Sequence, residues 1–314
     1  MKKLFKILLV TLASILALIV VFLLSIYFIN IICKNIEQDK IETYGQLVPV
    51  DGKNMNVLIQ GDGEETVVLL PGYGTASPVI DFMPLVNELS PYYKVVVIEP
   101  FGYGLSDDTE KERSIDNIVD EIHDALQQLN IDKYTIMGHS IAGIYALPYV
   151  KQYEVEVVAF VGIDSSVPTQ DDNEELPVKL YQQLNNSGFF RLLMKLNPDM
   201  VLTPNADTKT KEQVKMLTLK NFMNASQVSE TENMISNFKS TEHLNFPKTL
   251  PVIFYLAEQS VEESSTWKPK HEELISHSDH GELLILEGEH YLHHTKSKEI
   301  VERFRNFMTT IQEN

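Results

Sequence analysis

The sequence predicts an α/β protein: a mostly parallel, eight-stranded sheet with helices on both faces, a helical insert, and one apolar helix ahead of it. Three observations lead there. Short apolar runs rich in β-branched residues alternate with helical patterns along the body of the chain, as strands buried on both faces of a parallel sheet do. A stretch of about 85 residues between Ser165 and Thr249 breaks that rhythm and is too long for an ordinary crossover. From Ile7 to Ile32 there is no charged residue.

The apolar segment comes first. Lys2, Lys3 and Lys6 precede it, and Thr11, Ser14, Ser25 and Asn30 are its polar positions. As a helix, ~26 residues at ~1.5 Å each reach ~39 Å, more than a ~30 Å hydrocarbon core requires. A cleaved signal peptide has a shorter apolar centre and an A-x-A-like exit, and neither is present. Residues 1–33 are therefore expected to be an uncleaved membrane anchor. Cys33 follows a bulky Ile32, unlike lipid-anchored cysteines, and reads as a membrane-boundary thiol. Three lysines on the short amino-terminal side predict that end in the cytoplasm and the body outside it. Residues 34–44 read as a polar juxtamembrane linker and 45–314 as the folded domain. With a single cysteine, no intramolecular disulfide is available.

Through the body the elements follow in order. LVPV and MNVLIQ flank Asp51-Gly52 and read as a hairpin. TVVLLPG is a strand, Val79–Leu89 a helix and KVVVIEP a strand. Ile115, Ile118, Ile122, Leu126 and Leu129 form one helical stripe, with Ser114 placed as its N-cap. YTIMG is the next strand, Ile141–Val150 a helix, and VVAFVGID another strand. The insert, about 166–249, includes the nearly all-apolar Phe189–Leu196 and is expected to form a helical cap over the carboxyl ends of the strands. LPVIFYLA and ELLILEG complete the sheet, and the stripe Ile300, Val301, Phe304, Met308, Ile311 closes the chain as a helix.

The formal charge is −18. Beyond the three amino-terminal lysines, 23 basic residues face 44 acidic ones. Such a surface repels phosphate backbones and argues against a nucleic-acid partner; solubility accounts for it.

Gly138-His139-Ser140-Ile141-Ala142 takes the chain from a strand to a helix through a serine. The stretch resembles the G-x-S-x-G nucleophile elbow of the α/β-hydrolase family, with Ala142 in place of the last glycine. A serine in so tight a turn draws the flanking backbone together, so its neighbours must be small. The Ile141 N–H at the start of the helix would face a developing oxyanion. Serine needs a base, and Glu289-His290-Tyr291-Leu292-His293 after the last strand is similar to the family's histidine loop, which implies His290 as general base. His293 and His294 read as surface histidines, with no carboxylate at ligand spacing to make a metal site of them. His271 and His277 are six apart, not one helical turn apart as a zinc-protease helix requires.

Further resemblances are looser. LLPGYGTASP is similar to the family's H-G-x-G-type loop, with Pro71 where histidine is usual, and implies the Tyr73 N–H as second oxyanion donor. Glu99-Pro100-Phe101-Gly102-Tyr103-Gly104 resembles the family's D-x-x-G-x-G stretch, with Glu99 for aspartate; Gly102 and Gly104 read as a tight surface turn. Ser260 occupies the place after the seventh strand where most relatives carry the acid. Asp164, Glu258, Glu262 and Glu263 are the candidates to orient His290, with Asp164 slightly preferred. The resemblance implies a membrane-tethered serine hydrolase of carboxylic esters, acting on a small-molecule acyl substrate without metal or organic cofactor. The alternative is a non-catalytic tethered binding protein of the same fold.

Overall fold

The computed structural model describes residues 2–170, 176–200 and 206–313. The expected cap segment thus includes 171–175 and 201–205, which lie outside the described residues. The chain separates into two compact units, residues 1–42 with 177–223, and residues 43–176 with 224–314.

The larger unit is built on eight strands: β1 (Gln46–Val50), β2 (Lys53–Gln60), β3 (Thr66–Leu70), β4 (Lys94–Glu99), β5 (Tyr134–His139), β6 (Val157–Ile163), β7 (Val252–Ala257) and β8 (Gly281–Leu286). They lie in the order β1-β2-β4-β3-β5-β6-β7-β8. The first two pairings, β1 with β2 and β2 with β4, are antiparallel, and all others are parallel. The hairpin turn at Asp51-Gly52 has positive φ at both residues, 51° and 76°, as a two-residue loop with right-handed twist demands.

Successive side chains of a strand point to opposite faces, and the core follows that alternation. Val68, Leu70, Val96, Ile98, Ile136, Phe160 and Phe254 pack on one face. They meet helices α4 (Ile115–Gln128) and α5 (Ala142–Gln152). Val67, Leu69, Val95, Val97, Met137, Val161 and Tyr255 pack on the other, against α2 (Pro78–Asp81), α3 (Met83–Leu89) and α13 (Ser297–Glu313). The Ser114 hydroxyl accepts from the Asn117 N–H and caps α4. The helix expected over Val79–Leu89 is two helices broken at Phe82, because Pro84 has no N–H to continue the ladder.

The smaller unit joins α1 (Lys2–Gln38) to three helices of the insert, α6 (Val178–Ser187), α7 (Phe189–Leu196) and α8 (Thr208–Asn221). Helix α1 runs past the expected linker boundary at Lys34, and it is long and apolar enough to cross a membrane. The fourth helix of the insert, α9 (Ala225–Thr241), belongs to the sheet unit. Beyond β7 lie α10 (Glu258–Glu263) and α11 (Trp267–Ile275), and α12 (Leu292–Thr295) precedes α13.

The Gly102–Gly104 turn corrects one expectation. It is tight, with φ of 85° and 50°, but buried rather than on the surface. Gly102 lies under Ser226 of α9, and Gly104 lies against the Glu99 carboxylate, where any side chain would collide. Sequence cannot show that α9 returns to cover this loop. Glu99 itself is fully buried. It accepts from the Leu105 N–H (2.7 Å), Asn56 Nδ2 (2.9 Å), the Tyr44 hydroxyl (3.0 Å) and the Val79 N–H (3.2 Å). Burial pushes its carboxyl up, against the pull of those donors.

Removing this acceptor leaves several buried donors unpaired, each costing about 1–3 kcal/mol. Glu99→Ala is expected to lower stability by about 3 kcal/mol or more, read from urea unfolding of the detergent-solubilised protein. A loss under about 1 kcal/mol would show that these donors find other partners.

Candidate active site

The side chains singled out by sequence gather at the carboxyl ends of the parallel strands, where open α/β sheets place their chemistry. Ser140 follows β5 with φ of 54°, a left-handed conformation that costs energy for a residue with a side chain. Its surroundings hold it there. The Ser166 N–H donates to the Ser140 carbonyl at 2.7 Å, the Gly143 N–H to the same oxygen at 3.0 Å, and the Ser140 N–H to the Ile163 carbonyl at 3.4 Å. Space around the corner is short. A Cβ on Gly138 would lie 3.0 Å from the Ala142 side chain, and one on Gly143 would strike the Ser166 carbonyl. Gly72, across the corner, could not carry one either, with His139 Nδ1 at 2.8 Å and Ser140 Cβ at 3.0 Å.

Asp164 ends β6, fully buried and with φ of 40°. Its Oδ2 accepts from His290 Nδ1 at 2.7 Å and from the Ser260 hydroxyl at 2.5 Å. Its Oδ1 accepts from the Ala257 N–H and from Trp267 Nε1, both at 3.0 Å. A buried carboxylate is tolerable only with such pairing. Because a carboxylate accepts, His290 donates to it from Nδ1–H. The other three candidates, Glu258, Glu262 and Glu263, are exposed on α10, and among the described residues the carboxylate bonded to the His290 ring is that of Asp164. Ser260, at the usual acid position, donates to Asp164 instead.

The His290 ring lies 4.6 Å, centroid to centroid, from that of His139. His139 Nε2 donates to the His290 carbonyl at 3.1 Å, tying the residue before Ser140 to the loop after β8. Burial pushes the His139 pKa well down, so the ring is neutral and one nitrogen can donate. The Ser140 hydroxyl makes no hydrogen bond among the described residues.

Tyr73 and Ile141 lie on either side of the corner. The Ile141 N–H, just ahead of α5, has no backbone partner among the described residues. The loop after β3 is held from α9: the Tyr73 hydroxyl bonds to Thr231, and the Gly74 N–H donates to the Tyr103 hydroxyl at 3.1 Å. Tyr103 and Tyr145 in turn donate to the Glu230 carboxylate, both at 2.7 Å.

His293 and His294 are not the surface residues expected. His293 is fully buried and the His294 side chain nearly so. Each donates its Nε2–H to a different oxygen of Asp81, at 2.8 and 2.7 Å. Burial alone would raise the Asp81 carboxyl, but the two imidazoles hold it well below the usual carboxylate range. The three residues bring their ligand atoms within 4.8 Å of one another, so a carboxylate does stand at ligand distance. It comes from α2, some 212 residues away in sequence, where no local spacing could reveal it. The two Nε2–H donors are paired with Asp81, while the buried Nδ1 of His293 has no hydrogen-bond partner among the described residues. His271 is buried, bonded through its two ring nitrogens to the Trp267 and Ser165 carbonyls.

A parallel sheet of this order, entered by an antiparallel hairpin and interrupted by helices between β6 and β7, is the α/β-hydrolase fold with a helical cap insert. Comparison with known proteins agrees. The family model described as alpha/beta hydrolase fold matches residues 65–192. The uncharacterised Bacillus subtilis protein YbdG is 27% identical over 325 residues, 99% of this chain and 100% of its own. Among solved structures, a thermophilic esterase from Thermogutta terrifontis superposes with a TM-score of 0.66 at 11% identity, over 86% of this chain and 99% of its own. A Vigna radiata epoxide hydrolase mutant gives 0.65 at 16% identity, over 85% of this chain and 98% of its own. At such identities the structures speak for the fold alone.

Trp267 was not singled out by sequence, since a lone tryptophan carries no motif. Trp267→Phe removes one donor from buried Asp164, and is expected to cost about 1–3 kcal/mol. In an Asp164→Asn background the same change should cost at least about 1 kcal/mol less, measured by a double-mutant cycle in urea. Additive losses would mean that Trp267 stabilises the fold independently of Asp164.

Proposed function

We propose that the chain is a membrane-anchored serine hydrolase that cleaves carboxylic esters through an acyl-enzyme. The observation that carries this reading is the 2.7 Å bond from His290 Nδ1 to Asp164, made beside a serine in strained backbone at the adjacent strand end. His290 Nε2 takes the Ser140 proton as Oγ attacks the carbonyl carbon. The Tyr73 and Ile141 amides hold the oxyanion, and the leaving alcohol departs with the proton from His290. Water then adds to the acyl carbon with His290 again as base, and the carboxylic acid is released. Asp164 keeps the imidazole in the tautomer that presents Nε2, and stabilises it once protonated.

A serine nucleophile separates this site from epoxide hydrolysis, which in relatives of this fold resembles attack by an aspartate. Helix α1 supports the anchoring, with its three lysines on the cytoplasmic side and the hydrolase domain outside. That placement favours an ester with a hydrophobic side that partitions into membranes.

A fluorophosphonate probe on the detergent-solubilised protein is expected to label it rapidly, and labelling should vanish in Ser140→Ala and His290→Ala. With a short p-nitrophenyl ester, Asp164→Asn should lower kcat by about 10²–10⁴-fold, while Glu258→Gln and Glu262→Gln stay within about twofold of wild type. An Asp164→Asn protein of near-normal rate beside a collapsed glutamate variant would remove Asp164 from the mechanism. An inert Ser140 in folded protein would favour the binding-module alternative.

A further inference from the structure

Part of the insert is built onto the amino-terminal helix. Gly188, between α6 and α7, has φ of 88° and lies against the Ile26 carbonyl and the Asn30 side chain, where a Cβ would fall 2.9 and 2.7 Å from them. Asn30, one of the four polar positions in the uncharged run, is buried. It donates to the Asn185 carbonyl at 3.2 Å and accepts from Arg191 Nε at 2.9 Å. The Arg191 guanidinium also grips both oxygens of Glu37, at 2.5 and 2.7 Å. A planar fork on a carboxylate is a geometrically specific contact. Phe190 stacks on Phe222 with centroids 3.9 Å apart, giving these helices a small core of their own.

These contacts fix a depth. They run along α1 from Ile26 to Glu37, across the end of the uncharged run at Ile32. That run exceeds a ~30 Å hydrocarbon core by ~9 Å, about the rise of six residues. Six residues back from Ile32 is Ile26. Helices held at that level stand where acyl chains give way to headgroups.

Two properties of the segment fit such a place. Residues 177–223 carry seven lysines or arginines against three acids, a net of +4, in a chain whose total is −18. Leu180, Leu193, Leu196 and Met200 are exposed, Leu196 to 73%, beside exposed Lys179 and Lys195. Apolar side chains on a short helix with flanking lysines are how a helix lies in a bilayer surface.

We infer that residues 177–200 and 206–223 form a membrane-surface site. Leu180, Leu193 and Leu196 enter the acyl boundary of the extracytoplasmic leaflet, and Lys179, Lys195 and Lys211 meet anionic lipid headgroups. The inference rests on the anchored reading of α1.

Three single-cysteine proteins in a Cys33→Ser background test it, each full length, labelled with an environment-sensitive dye and reconstituted into vesicles. The vesicles are phosphatidylcholine with ~30% phosphatidylglycerol, with and without a doxyl-labelled quencher lipid. The dye sits at Phe22→Cys within the span, at Leu196→Cys on the site, or at exposed Val155→Cys in the sheet unit. Quenching at 196 is expected to exceed that at 155 by about threefold or more. It should fall towards the 155 level in pure phosphatidylcholine and in Lys179→Gln/Lys195→Gln/Lys211→Gln. Equal quenching at 196 and 155, with strong quenching at 22, overturns the surface site and leaves the anchor standing. No quenching at 22 overturns the anchor and the site together. Quenching at 196 that ignores both lipid charge and the three lysines overturns the headgroup contact.

Discussion

A carboxylate without solvent can persist at the end of β6 only because four donors converge on it. They come from the loop after β8 (His290), from the end of β7 (Ala257), from α10 (Ser260) and from α11 (Trp267). Asp164 thereby ties the end of β7, α10, α11 and the loop after β8 to the end of β6. The same need, to satisfy a buried charge, sets the position of the His290 imidazole. In the proposed mechanism these same bonds orient the general base, so a change at Asp164 would be felt in stability and in rate.

The corner at Ser140 works by the opposite device. Asp164 is held by attraction, whereas Ser140 is held in an unfavourable φ by crowding and by backbone bonds to Ile163, Gly143 and Ser166. Gly72, Gly138 and Gly143 have no room for a side chain against the backbone and side chains of this corner. The loop carrying Tyr73 is fixed in turn by Thr231, Tyr103 and Glu230. Two of those three, Thr231 and Glu230, lie on α9, so this helix of the insert contributes to the framework of the corner.

The fold was legible in the sequence because two-sided apolar strands leave unbroken β-branched runs, and because Ser114 and the stripe behind it mark α4 unambiguously. Boundaries moved where one residue overrode a pattern, as Pro84 does within the expected Val79–Leu89 helix. What sequence could not supply was pairing at a distance. His293 and His294 look like surface residues until α2 brings Asp81 to them. Gly102 and Gly104 look like a surface turn until α9 folds down on it. Ser260 seemed to vacate the acid's place; in the fold it donates to Asp164, so the same position supports a carboxylate supplied by the neighbouring strand.

The central claim is that one reacting atom is held between Ser140, His290 and the two amides at 73 and 141. A crystal structure of the protein inactivated by a small phosphonate ester tests it directly. The account predicts phosphorus bonded to Ser140 Oγ, its oxygen accepting from the Tyr73 and Ile141 amides, and His290 Nε2 within hydrogen-bond reach of the adduct. Phosphorus on another residue, or an adduct oxygen turned away from both amides, would contradict it.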